Sequence, residues 1–157
     1  MAQKQNVSYQ EIVGLFQTAC QAHDSINSFD VGTIDFLDAS AVDRIYPYIF
    51  LRPINTLFDA RTRTLTFELY SLDQPKNRSQ SNTKVMSTTE FYIYDLMAYF
   101  NYNTDVSIQQ NYQVNMTNCV PVNEGFQDRV FGWVATVDII TPFALNYCKF
   151  PTYPAVS

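Results

Sequence analysis

The residues able to do chemistry in this 157-residue chain are few and scattered. Its single histidine, His23, could serve as a base or a metal ligand only beside a carboxylate or thiol at fitting spacing. No Cys or carboxylate pair sits at ligand spacing around it. His23 closes a stretch of helical period, so it reads as a helix-end histidine favoured by the negative end of the helix dipole. A Ser–His–Asp triad has no supporting nucleophile signature, because G-x-S-x-G is absent.

Asp30, Asp35, Asp38 and Asp43 form the densest acidic group. Paired carboxylates can hold Ca²⁺ or Mg²⁺, but this spacing does not match a D-x-D-x-D-G loop. Residues 30 and 35 would also point to opposite faces of a regular strand. The group therefore reads as a solvated face or turn. Lining a channel, such an acidic surface would repel passing DNA and keep it from sticking.

Gly14, Gly32, Gly125 and Gly132 stand singly, so no phosphate-cradling loop exists, and Gly132 before Trp133 reads as a bulge or close strand approach. Trp133 itself reads as core. Cys20, Cys119 and Cys148 are odd in number and widely spaced, which predicts free buried thiols in place of a disulfide or metal framework. No catalytic, cofactor-binding or metal-ligating residue is assigned, and no cofactor is expected.

Composition narrows the classes further. A formal charge of −5 disfavours a nucleic-acid reader, and Lys76-Asn77-Arg78 is too short to be a basic stripe. Apolar residues at 46% are enough for a globular core, and the length predicts one domain over 1–157. No apolar run approaches the roughly 18–20 residues of a membrane span. The polar opening from Met1 to Asn6 does not resemble a secretory signal, so the expectation is a protein that stays in the cytoplasm of the cell that makes it. Eleven Tyr and twelve Phe against four Gly suit partner contacts as well as a core, since a tyrosine ring has one apolar and one wet end.

The elements follow from periodicity. Ser8 and Glu11 fit a capping box, with Val7 and Ile12 at the staple positions. Ile12, Val13, Phe16, Ala19, Cys20 and His23 continue one apolar stripe that fades by residues 25–28. A strand is predicted over 29–37. Tyr48, Ile49, Phe50 and Leu51, bracketed by Pro47 and Pro53, read as a short central strand. After a turn at 59–62, residues 64–72 alternate, with Leu65, Phe67 and Leu69 on one face.

Residues 73–83 read as a loop, and a second helix is expected from about Val85 to Asn101. Its apolar face is wide: Val85, Thr89, Tyr92, Leu96 and Tyr99, broadened by Met86, Ile93, Met97 and Phe100. A strand is predicted over 105–117, a turn over 117–126 around Pro121 and Gly125, and a last strand over 130–140. In that strand Phe131, Trp133, Ala135, Val137 and Ile139 share a face. The expected fold is α+β, in the order α-β-β-β-α-β-β, with two helices on one face of a mostly antiparallel sheet of about five strands.

Several of these segments together resemble a family of tailed-phage structural proteins. The first is Tyr46-Pro47-Tyr48-Ile49-Phe50-Leu51-Arg52-Pro53, followed by Leu65-Thr66-Phe67-Glu68-Leu69-Tyr70-Ser71-Leu72-Asp73. The helix from Val85-Met86-Ser87-Thr88-Thr89-Glu90 through Asp95-Leu96-Met97-Ala98-Tyr99-Phe100 continues the series. Phe126-Gln127-Asp128-Arg129-Val130-Phe131-Gly132-Trp133 through Cys148-Lys149-Phe150-Pro151 closes it. The chain is similar in these pieces, in order, to tail-terminator-like and tail-completion proteins of the head–tail connector, especially in phages of Bacteroidetes, crAss-like phages included. It departs from the pattern in the more elaborate loop 73–84.

The resemblance implies a non-enzymatic virion protein of the neck or upper tail, made in the host bacterial cytoplasm. Copies would form a cyclic ring, twelve-fold or alternatively six-fold, contacting the portal, neighbouring neck rings and tail proteins. The genome would pass through the axial channel without sequence-specific binding, and no membrane is involved. A ring needs a head-to-tail contact whose rotation closes, and strand edges at 105–117 or 130–140 could supply it by sheet extension. Two other classes compete with this reading: a small ligand-binding or enzymatic α+β domain, and an assembly chaperone absent from the finished virion.

Overall fold

The computed structural model describes residues 6–33, 44–76, 82–102, 112–122 and 130–145. Helix α1, Tyr9–Ala22, begins where the sequence signals place it. The Ser8 Oγ accepts from the Glu11 N–H, and the Glu11 carboxylate accepts from the Ser8 N–H at 2.7 Å. Val7 and Ile12 are both buried beneath this cap. The second helix, α2, runs Asn82–Tyr102 and buries Val85, Thr89, Tyr92, Ile93, Leu96 and Phe100.

The strands are β1 (Ser28–Val31), β2 (Tyr48–Phe58), β3 (Thr62–Asp73), β4 (Gln113–Val122) and β5 (Phe131–Pro142). They form one five-stranded sheet in the order β1-β2-β3-β5-β4. The β1–β2 pair is parallel and every other pair is antiparallel. The fold is thus α+β with both helices on one sheet face. There Ile12, Phe16, Ile93, Leu96 and Phe100 meet Leu65, Phe67, Leu69, Ala135, Val137 and Ile139 in the main core. The Phe16 ring sits 4.8 Å from Phe100 and 6.3 Å from Phe67, centroid to centroid. Full burial of one such ring contributes about 1.5–3 kcal/mol relative to exposure. A second cluster, Tyr48, Phe50, Tyr70, Leu72 and Val130, occupies the opposite face.

Three expected boundaries move. The strand predicted over 29–37 ends at Val31, with 34–43 outside the described residues. β2 does not stop at Pro53 but continues to Phe58, with a register irregularity between Pro53 and Asn55. β4 likewise passes Thr117 and Pro121, where a turn was expected, and its register shifts between Thr117 and Val120. Both prolines are tolerated for the same reason: among the described residues each lies on a stretch paired on one side only, where a missing N–H need not break a ladder. The predicted start of that strand, at 105, also lies outside the described residues, as do Gly125 and most of loop 73–84 beyond Lys76.

Strand β5 is not an edge. It lies between β3 and β4 and is paired along both sides, so the idea that 130–140 offers a free border is incorrect.

Candidate functional site

The histidine is held at a helix end, as its position in the sequence indicates, and it has a partner the sequence did not disclose. His23 is the C-cap residue of α1. Its Nδ1 accepts from the Ser25 N–H at 3.1 Å, which leaves Nε2 to donate to Asp95 Oδ2 at 2.8 Å. The ring meets the Tyr92 ring edge-on at 5.3 Å. Both nitrogens are occupied, and among the described residues no Ser, Thr or Cys side chain hydrogen-bonds to this ring. The pair therefore ties α1 to α2.

Asp30 stands on β1 and accepts a hydrogen bond from the Tyr48 hydroxyl at 3.1 Å. Burial pushes the Tyr48 phenol well above its usual range, and the Asp30 carboxylate pushes it further. Asp35, Asp38 and Asp43 lie outside the described residues. Among the described residues no three His, Cys, Asp or Glu side chains gather as a metal site.

Cys20 is buried as expected, and burial raises its thiol to about 12. Cys119 is exposed, which corrects the expectation of a buried thiol: it falls in the register shift of β4, whose outer side carries no described strand. Cys148 is outside the described residues. Gly132 marks a close strand approach, and a Cβ there would lie 1.8 Å from the Ser71 carbonyl oxygen. Trp133 is part-buried against the core, and its Nε1–H donates to the Met86 carbonyl at 2.8 Å.

A cleft of about 740 Å³ opens where the α1–β1 connection, the end of β3 and the first turns of α2 meet. Asp73, Lys76, Lys84 and Tyr92 are among its lining residues. Burial raises the Asp73 carboxyl, partly offset by the Gln74 N–H it accepts from and by Lys76. The Tyr92 phenol is also raised, first by burial. The cleft thus gathers opposite charges, Asp73 with Lys76 and Lys84.

The least satisfied part of the described molecule is the rim of the sheet. β1 covers β2 only over Tyr48–Leu51, and its last contact is the Gly32 N–H to the Leu51 carbonyl at 3.1 Å. Beyond that point residues 53–58 are exposed, and on the side away from β3 no described strand lies beside them. They include Ile54, Leu57 and Phe58, exposed by 43%, 62% and 64%. At the far side β4 is the terminal strand, with Gln113, Asn115, Thr117 and Val120 all exposed.

Neither rim carries a charge: 53–58 reads Pro-Ile-Asn-Thr-Leu-Phe, and β4 is Gln-Val-Asn-Met-Thr-Asn-Cys-Val-Pro-Val. Edge strands are usually blunted by lysine or other charges, so two neutral rims on one sheet are unusual. Sequence reasoning missed residues 53–58, although the uncharged run after Pro53 was the available signal. Compared with known proteins, the chain matches no family model and no curated sequence.

Proposed function

We propose that this protein is a structural subunit that assembles into a closed ring in the neck or upper tail of a tailed phage, joining portal to tail around a channel for the genome. The observation carrying this reading is the pair of uncharged rims, on opposite sides of one sheet, that no described strand covers. Rims of this kind favour head-to-tail joining of identical copies, and closure of a ring removes every free edge. The ordered resemblance of residues 46–53, 65–73, 85–100 and 126–151 to connector proteins supplies the setting.

Native mass spectrometry and negative-stain imaging of the protein, alone and mixed with portal and neighbouring neck proteins, test the reading. Closed rings are the expected result. A monomer that persists even beside those partners counts decisively against it.

The cleft beside Asp73 and Lys84 favours a second reading, a small-molecule-binding domain. It predicts a metabolite that raises the melting temperature, and loss of that rise in Lys84→Ala. Virion proteomics separates both readings from a chaperone left behind in the cell.

A further inference from the structure

The sheet register fixes which parts of the two rims stand at the same height. Leu57 pairs with Thr64, Thr64 with Ile140, and Ile140 with Gln113, so Leu57 on one rim is level with Gln113 on the other. The same reading places Thr56 level with Val114 and Asn55 with Asn115. Below them Pro53 is level with Met116, and Arg52 with Thr117. These are the rows in which no described strand pairs with β2 on the side away from β3.

One row lower the situation reverses on both rims together. Leu51 is the row at which β1 begins to cover β2, through Val31. Its counterparts across the sheet are Leu69 and then Ala135, opposite the interval in which β4 loses register between Thr117 and Val120. That interval holds Asn118, whose φ of 48° is left-handed and turns the strand locally. The straight part of the β4 rim thus matches the open part of the β2 rim, and its kink matches the place where β1 stands in the way.

Strand direction agrees as well. β2 is antiparallel to β3, β3 to β5, and β5 to β4, so β2 and β4 run in opposite senses. A rotation about an axis along the strands preserves sense, face and height. Under that operation β4 of one copy meets β2 of the next as an antiparallel neighbour.

We infer that the partner of the open β2 rim is β4 of a second copy of this chain, with residues 113–117 added antiparallel to residues 52–57 so that Asn55 faces Asn115. The contact spans about 17 Å at roughly 3.4 Å per residue. It is heterologous, using different patches on the two copies, and so propagates to a closed ring instead of ending at a dimer. This inference deepens the ring reading above and rests on it, but names a specific joint that ring formation alone does not require.

The test uses Asn55→Cys and Asn115→Cys, separately and together, in full-length protein carrying Cys119→Ser and Cys148→Ser. Both asparagines are exposed on the same face, and circular dichroism verifies that the variants fold. Oxidation or a short bis-maleimide should convert the double variant into a ladder of covalent multimers. Each single variant should stay monomeric on a denaturing gel, and a mixture of the two singles should stop at dimers.

A dimer formed by either single variant alone overturns the inference, since it means like rims pair. Rings seen in native mass spectrometry without a ladder also overturn it, while leaving the ring reading intact. Absence of both rings and ladder sinks the two together. Arg52→Cys with Thr117→Cys probes the other end of the same joint and must give the same ladder.

Discussion

The α-carbon of Gly132 lies so close to the main chain of Ser71 that a methyl group added to it would sit 1.8 Å from the Ser71 carbonyl oxygen and 2.9 Å from its carbonyl carbon. The obstacle is backbone, held between β3 and β5, and it cannot rotate aside as a flexible side chain would. Gly132→Ala should therefore destabilise the protein by about 1–3 kcal/mol, the range typical of overpacking. The measurement is urea unfolding; an unchanged midpoint would show that the strands part without cost.

Asp73 gives a pH prediction of definite sign. Burial is the main cause of its raised carboxyl, so the folded state holds that proton to higher pH than the unfolded chain does. Stability from this group is greatest below the usual carboxylate range and is lost as pH rises through the raised folded value. Asp73→Asn keeps an oxygen to accept from the Gln74 N–H but removes the ionisation. It should melt higher than the native protein at pH 7, and the difference should shrink as pH falls towards 3. A variant that melts lower at pH 7 would show that the carboxylate makes a net favourable contact.

The two described thiols should react differently. Cys20 is 2% exposed and its thiol is raised to about 12, so it holds almost no thiolate near neutrality. Cys119 is exposed, with its thiol raised by burial and by the Glu90 carboxylate. Iodoacetamide on native protein should modify Cys119 slowly, faster with rising pH, and reach Cys20 only after unfolding. Peptide mapping by mass spectrometry reads both sites, and equal labelling of the two under native conditions would refute the assignment.

Leu57 separates assembly from folding. Its side chain is 62% exposed, so Leu57→Lys should alter monomer stability by no more than about 0.5 kcal/mol. The same change puts a charge within residues 53–58, which have none, as natural edge strands do to prevent joining. Ring abundance in native mass spectrometry should fall at least tenfold while the melting temperature of the monomer hardly moves.

Much of this architecture is legible in the sequence because its signals are local. Ser8, Glu11, Val7 and Ile12 declare the start of α1 within six residues, and the alternation of Leu65, Phe67 and Leu69 declares which side of β3 is inward. What was not legible is relational. Alternation says which face a residue takes but not which strand lies beside it, so the interior position of β5 between β3 and β4 was invisible. Pro53 and Pro121 read as stops, because whether a proline is tolerated depends on whether its strand has a neighbour. His23 and Asp95 are 72 positions apart, beyond the reach of any spacing rule.

The indole of Trp133 has a practical consequence. It is the chain's only tryptophan, and its N–H is fixed to a carbonyl in the second turn of α2. Emission excited at the red edge of the indole band, where the eleven tyrosines hardly absorb, therefore comes from a single built-in probe at the seam between helix and sheet. A red shift would signal that water has reached this seam, with no dye or label required.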